Sequence, residues 1–257
     1  MRRRPERLAL LVPTALALAL CVTDGHGLAQ DGGEPPPRVE HTVHAEQRSD
    51  GEPYDLHRWR LPLAHTSIAI ADARMGTRLS RYVRGDAVLA VNGGFYAPDR
   101  RPEGLVVEHG QEINPFLARI GGGIVSVADG VARLHDAEQE LRLPDDVDFA
   151  IQCRPRLVVD GQNNIAPRSD LTAARTALCI REDGRVLDVY VARRDPSRGR
   201  AGPTLHSLAE VLVREGCESA LNLDGGPSTG AAWRSARGVR SLRPRRGVRH
   251  AIVFSVR

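Results

Sequence analysis

The 257-residue sequence contains no lysine, so arginine alone supplies its long basic side chains. A chain without lysine cannot form a lysine Schiff base, and it cannot use a P-loop lysine to hold nucleotide phosphates. Anion binding by long side chains therefore depends on guanidinium groups, whose planar donor fork suits carboxylates and phosphates.

Cysteine and aromatic residues are also scarce. The four cysteines form no C-x-x-C motif and the nine histidines form no H-E-x-x-H motif, which argues against a zinc knuckle, a dithiol redox site or a zincin protease. Residues 234–249 carry seven arginines and no acid, but no aromatic side chain that could stack on bases. We therefore expect no nucleic-acid partner; this stretch fits either a solvated hairpin or a surface for an anionic envelope polymer.

The N-terminal 29 residues have the pattern of a secretory signal peptide. Four arginines precede an apolar run over residues 8–22, and Gly27-Leu28-Ala29 supplies small residues for cleavage. The rival interpretation, lipid attachment at Cys21, fits less well because Leu20 precedes the cysteine. Either process predicts export, to the periplasm or beyond, and removal of four arginines and two acidic residues lowers the formal charge from +4 to +2.

The remaining chain divides into a polar linker and one domain. Residues 30–55 are rich in Gly, Pro and charged residues and predict a disordered linker; residues 56–257 predict the folded domain. Of the three cysteines left after export, we expect Cys179 and Cys217 to pair first, while Cys153 makes the number odd. No feature of the sequence indicates an oligomeric state.

Alternating or continuous apolar segments predict a strand-rich α/β (α+β) domain with a mixed β-sheet and few helices. The clearest helix spans residues 205–215, with Thr204 as N-cap and Gly216 as its stop. A second, short helix is expected over residues 77–85. Strands are expected over residues 67–72, 124–127, 157–160, 186–191 and 248–256.

Two apolar segments end in a polar residue and a glycine pair. Residues 221–229 read L-N-L-D-G-G-P-S-T, and residues 88–96 read V-L-A-V-N-G-G-F-Y. Strand alternation puts Asn222 and Asp224 on one face, and the glycines allow close backbone approach. Ligands of open sheets gather at the carboxyl ends of strands, so we expect both ends to meet in one cleft. The alternative is that these residues only form turns and bind no ligand.

These two motifs, together with three further segments in matching order, resemble the phosphodiester glycosidase family. Residues 152–161 resemble its Q-x-x-P-x-L-V-x-x-G segment, Arg175-Thr176-Ala177 its R-T-A strand start, and residues 203–216 the helix before the last motif. The resemblance covers roughly residues 60–257. It implies an exported hydrolase that cleaves a small or polymeric sugar-1-phosphodiester of the N-acetylglucosamine type.

The resemblance also implies roles for particular residues. Asp224 is expected to act as base or nucleophile, with Glu103 as a candidate second carboxylate, and Arg175 is expected to bind phosphate. The expected substrate-binding residues are Asn92, Gly93, Gly94, Asn222, Gly225, Gly226, Ser228 and Thr229, the glycines through backbone N–H groups. No cofactor or metal is required, although the hard oxygen donors Asp224, Asn222 and Asn92 are compatible with a divalent cation such as calcium.

Parts of the sequence also match two other functions. Residues 226–230 match the G-x-S-x-G elbow of α/β-hydrolases, but no acid follows Ser228 and only His250 remains as a base. That order excludes the ordinary triad. The second alternative is a non-catalytic exported module that binds phosphate-rich cell-envelope polymers.

Overall fold

The computed structural model describes residues 39–48, 51–139, 143–167, 171–193 and 202–257. The expected signal peptide lies outside these residues. None of the described helices is long and apolar enough to cross a membrane. The regular elements, apart from short 3-10 turns, are β1 (Glu40–Gln47), β2 (Pro53–Pro62), β3 (Thr66–Gly76), β4 (Ala87–Asn92), β5 (Val106–Glu108), β6 (Gln111–Asn114), β7 (Gly123–Ala128), β8 (Val131–Asp136), β9 (Val147–Cys153), β10 (Arg156–Val159), β11 (Gln162–Asn163), β12 (Arg175–Arg181), β13 (Val186–Arg193), α1 (Leu205–Arg214), β14 (Ser219–Asn222), β15 (Ala231–Ser235), β16 (Gly238–Leu242) and β17 (Val248–Val256).

The largest sheet has seven strands in the order β1-β2-β13-β12-β14-β10-β11. Its strand β13 is buried along seven of its eight residues, because both faces of the sheet are covered there. Leu187, Val189 and Val191 point into the main core, whereas Tyr190 and Ala192 belong to the cluster under the helix. Alternate side chains of β13 thus pack into two different hydrophobic clusters, one on each face of the sheet.

The helix α1 covers the outer face of this sheet. Thr204 caps it, since its hydroxyl accepts a hydrogen bond from the Ser207 N–H at 3.0 Å. Leu208 and Leu212 lie one turn apart on the buried face and pack in the same cluster as Ala220 of β14. The helix therefore stabilises the strand that leads directly into the Asp224 turn.

Two five-stranded sheets complete the domain, in the orders β16-β15-β4-β17-β3 and β6-β5-β9-β7-β8. All three sheets bury side chains in one common core, whose largest members include Trp59, Leu89, Phe149, Leu178 and Phe254. Strands β4 and β14 therefore approach each other from different sheets. Their ends can meet only because both sheets pack on this core.

The strand-rich class with few helices is confirmed, but the pairing differs from the mixed sheet expected. Every strand pair among the described residues is antiparallel, for instance β12 with β13 and with β14. The helix expected over residues 77–85 is only a 3-10 turn over Leu79–Tyr82.

The expected linker over residues 30–55 is wrong where the structure describes β1. This strand pairs antiparallel with β2 in a register that runs from Glu40↔Arg60 to Gln47↔Pro53. No residue of β1 is fully buried. An edge strand that is held by backbone hydrogen bonds carries no apolar alternation, so composition alone could not identify it.

A disulfide joins Cys179 of β12 to Cys217, which follows α1, with their Cα atoms 5.7 Å apart. This is the pairing expected from the sequence. The thiol of Cys153 is free and buried.

Candidate active site

The two glycine turns meet as expected. The Asn92 amide group donates a hydrogen bond to the Asp224 carbonyl oxygen at 2.7 Å, and the Asp224 N–H donates to the Gly93 carbonyl oxygen at 3.2 Å. The end of β4 is thus bonded to the segment after β14. The carboxylate of Asp224 is placed at this junction of two sheets.

Asn92 itself is not available to a ligand. Its side chain is fully buried, and besides its donation to Asp224, its Oδ1 accepts from the Thr176 hydroxyl at 2.7 Å and from the Gly230 N–H at 3.1 Å. The expectation that Asn92 binds substrate is therefore corrected, since its hydrogen-bonding capacity is used internally. It positions the Asp224 turn.

The glycine N–H groups are likewise occupied, so the expected anion nests are absent at these four positions. Gly93 donates to the His250 carbonyl at 3.0 Å and Gly94 to the His250 Nε2 at 3.1 Å. Gly225 donates to the Asp224 Oδ1 at 2.8 Å, and Gly226 donates to the Ala174 carbonyl at 2.7 Å. What Gly93 provides is space, because a Cβ there would overlap the His250 ring.

A cavity of about 490 Å³ opens beside Asp224, within the size range of small-molecule sites. Its lining brings together five of the expected site residues, Arg175, Asn222, Asp224, Gly225 and Gly226. The other lining residues are Phe95, Arg154, Pro155, Leu171, Ala173 and Leu205. Among these, Arg154 is the one charged residue, and sequence reasoning did not select it; it lies within a quoted motif, but at a position marked only as variable.

Asp224 is the single carboxylate among the described residues of this lining. Burial raises the pKa of its carboxyl above the usual value of 3.8, whereas hydrogen bonds from the Ser228 side chain and from the Gly225 N–H act in the opposite direction. A desolvated carboxylate with few donors has a stronger tendency to take up a proton or attack an electrophile. The site thus has the properties of a base or nucleophile.

Asn222 lines the cavity, and one acceptor of its side chain has no partner among the described residues. Its Nδ2 donates to the Arg154 carbonyl at 2.8 Å, which fixes the orientation of the amide. Its Oδ1 is buried and has no hydrogen-bond partner among the described residues. A buried acceptor is costly unless a donor reaches it, so a hydroxyl or amide N–H of a ligand would fit there.

Arg175 begins β12 and lies against the Asp224 turn. A Cβ placed on Gly225 would lie 3.8 Å from its Cδ and Nη1 atoms. Its Nη2 donates to the Leu171 carbonyl at 2.7 Å, while its buried Nε has no partner among the described residues. Burial lowers the pKa of this guanidinium. A desolvated cation with an unused donor is suited to bind an anion.

Besides Asn92, Gly93 and Gly94, three further expected residues lie outside the cavity lining. Ser228 is buried, and its side chain forms a hydrogen bond with the Asp224 carboxylate. Thr229 is also buried, and its hydroxyl has no partner among the described residues. Glu103 is partly exposed, and its N–H bonds to the Phe95 carbonyl at 2.9 Å. No group of three or more His, Cys, Asp or Glu suited to a metal ion occurs in the described part of the chain.

The chain is similar to known proteins in its sequence profile and in its fold. The family profile described as phosphodiester glycosidase matches residues 85–255. No curated protein matches the sequence. The solved catalytic domain of zebrafish N-acetylglucosamine-1-phosphodiester alpha-N-acetylglucosaminidase, auto-inhibited by its pro-peptide, is 15% identical with a TM-score of 0.66, over 88% of this chain and 84% of that one.

Two bacterial structures share the fold as well. A hypothetical protein from Synechocystis is 14% identical with a TM-score of 0.61, over 86% of this chain and 64% of that one. A candidate exported protein of Burkholderia pseudomallei K96243 is 12% identical with a TM-score of 0.52, over 80% and 74%. At such identities these likenesses establish the fold.

Proposed function

The chain belongs to the phosphodiester glycosidase family, and from that premise we propose that it hydrolyses the glycosidic bond of a sugar-1-phosphodiester. The observation that carries the proposal is the cavity in which Asp224, the only carboxylate among the described lining residues, stands beside the desolvated Arg175. A carboxylate can activate the attack, and a guanidinium can bind phosphate oxygens in a bidentate manner.

The chemistry explains why one carboxylate suffices. Ordinary glycosidases use two, one of them as an acid that protonates the leaving oxygen. A phosphate monoester has a second pKa of about 6, so it can depart with little protonation. Asp224 then serves as base toward water or as nucleophile toward the sugar carbon. Glu103, outside the cavity lining, is not needed.

The polar groups of the cavity suit such a substrate. Arg175 would hold the phosphate, and the free Oδ1 of Asn222 would accept a hydrogen bond from a sugar hydroxyl or an N-acetyl N–H. The zebrafish enzyme is named for an N-acetylglucosamine phosphodiester, which makes this sugar the first to try. The signal-like N terminus supports action outside the cytoplasm, on a free or polymeric envelope substrate.

The test is release of free sugar from N-acetylglucosamine-α-1-phosphodiesters by the full chain. We expect Asp224→Asn to lower kcat by at least about 100-fold, as loss of a principal acid–base group does. Asp160→Asn, the same change in an exposed turn, serves as the matched control and should leave kcat unchanged. Glu103→Gln should also retain activity, and a chelator should have no effect.

Two results would contradict the proposal. Equal activity of the Asp224→Asn and wild-type proteins would remove Asp224 from the reaction. Failure of the folded wild type to release sugar from any phosphodiester, with retained binding of a phosphate-rich polymer, would favour the non-catalytic binding module instead.

A further inference from the structure

The cavity contains a second arginine that the function proposed above does not use. Arg154 lies between β9 and β10, is solvent-exposed, and lines the same cavity as Asp224 and Arg175. None of the ion pairs among the described residues involves it. By contrast, Arg156, two residues later, is bonded to Asp136 at 2.8 Å. Unlike Arg156, Arg154 therefore has a charge that no described residue pairs with, and this charge is available to a ligand in the cavity.

The backbone that carries Arg154 is held from two sides. On one side the Arg154 carbonyl accepts from the Asn222 side chain at 2.8 Å, and the Pro155 carbonyl accepts from the Asn222 N–H at 3.0 Å. On the other side Gly122 lies so close that a Cβ would overlap the Cys153 carbonyl and the Arg154 Cβ. The turn is therefore fastened to β14, two residues before Asp224, and its side chain starts from a fixed point.

The charges of the described residues that line the cavity do not balance. Arg154 and Arg175 contribute two positive charges, and Asp224 contributes at most one negative charge. A phosphodiester carries one negative charge. When the bond from the sugar carbon to the phosphate oxygen breaks, its electron pair goes to that oxygen and the departing monoester becomes a dianion. A water molecule supplies the hydroxyl to the sugar carbon and gives its other proton to Asp224.

The negative charge therefore grows on the phosphate during the reaction, and among the described residues of the lining there is no second acid to protonate it. Preorganised positive groups that face a developing charge stabilise the transition state more than the ground state. Resting on the proposed function, we propose that Arg154 is a catalytic residue that acts with Arg175 on the departing phosphate and takes the place of the general acid of ordinary glycosidases. Asp224 then promotes the attack on the sugar carbon, and the two guanidinium groups stabilise the departing phosphate.

The experiment compares Arg154→Gln with Arg237→Gln, an exposed arginine of the β15–β16 turn outside the cavity lining. Both variants are tested on methyl and phenyl phosphodiesters of N-acetylglucosamine-1-phosphate. We expect Arg154→Gln to lower kcat by about 100-fold on the methyl diester, with a smaller change in KM. The loss should be smaller on the phenyl diester, whose monoester leaves more easily. Arg154→Lys should recover part of kcat, because it restores the charge without the fork.

A second measurement does not depend on turnover. Binding of inorganic phosphate is measured by calorimetry for the wild type and both variants, and Arg154→Gln should bind phosphate about tenfold more weakly, as loss of a charge-assisted hydrogen bond predicts. Circular dichroism confirms that each variant is folded.

The outcomes separate the two proposals. If the wild type releases no sugar but Arg154→Gln weakens phosphate binding, the glycosidase assignment fails and the catalytic role of Arg154 fails with it, leaving only an anion site. If the wild type is active and Arg154→Gln has the same kcat as Arg237→Gln, the role of Arg154 in departure is wrong while the glycosidase assignment stands. The same conclusion follows if Arg154→Gln raises KM and leaves kcat unchanged.

Discussion

Protonation of the buried His250 ring should destabilise the folded protein in mild acid. The ring is almost fully enclosed, and its Nε2 accepts the Gly94 N–H at 3.1 Å, so the folded state requires a neutral imidazole. Burial lowers the pKa of His250 from 6.5 to about 4, with a smaller contribution in the same direction from Arg249. A protonated ring would lose this hydrogen bond and carry a charge inside the core.

The sign and size follow from the two pKa values. The unfolded chain takes up the proton near pH 6.5 and the folded chain only near pH 4, so the stabilisation is complete above pH 6.5 and is lost as the pH falls toward 4. The loss amounts to about 2 kcal/mol at pH 5 and approaches about 3 kcal/mol below pH 4. That is a large part of the stability of an ordinary domain.

The assay is urea unfolding of the full chain at pH 7.5 and pH 5.0. Other titrating groups contribute to both the wild type and a His250→Asn variant, so the difference between them isolates this ring. The variant should show about 2 kcal/mol less acid destabilisation than the wild type. His44→Asn, a change at an exposed histidine of β1, should behave as the wild type does.

A proton NMR titration of His250 in the wild type covers the case in which the variant fails to fold. A folded-state pKa near 6.5, or equal acid destabilisation with and without the His250 ring, would refute the reasoning.

Three further changes test other parts of the structure. Ser228→Ala removes a hydrogen bond that lowers the Asp224 pKa, so the acidic limb of kcat/KM, where activity falls as the carboxylate protonates, should move up by about one pH unit; an unmoved limb would disconnect the two groups. Gly93→Ala places a Cβ in the buried histidine ring and should cost about 3 kcal/mol in thermal unfolding; an unchanged melting temperature would contradict this close packing. Removing the Cys179–Cys217 disulfide, whose cysteines are 38 residues apart, should cost about 4 kcal/mol by the chain-entropy estimate, measured as unfolding of the double serine variant; unchanged stability would contradict it.

The sequence predicts elements well where local patterns and packing agree. The amphipathic helix after Thr204 and the strand over residues 248–256 have strong apolar patterns, and both occur as expected. Strand β1 shows the converse case. It lies at a sheet edge without a fully buried residue, so its order comes from backbone pairing with β2, which leaves no mark on the apolar pattern.

The sequence likewise predicts one part of the candidate site and misses another. A polar residue before two glycines identifies a strand end, and both strand ends do meet. Alternation cannot tell, however, whether such a residue faces a ligand or the neighbouring sheet, and Asn92 faces inward to Thr176 and Gly230. The lining position of Arg154 depends on how the β9–β10 turn is fastened to Asn222. Contacts of that kind are tertiary and have no local signal.

The hydrogen bond from Asn92 to Asp224 spans 132 positions of the chain. Closing a loop of that length costs conformational entropy, and folding is slower where contacts join such distant segments. A fragment that lacks either sheet would lack one partner of this hydrogen bond. Enzymatic activity in this architecture would therefore report completed folding, and strands that have formed without docking would remain catalytically silent.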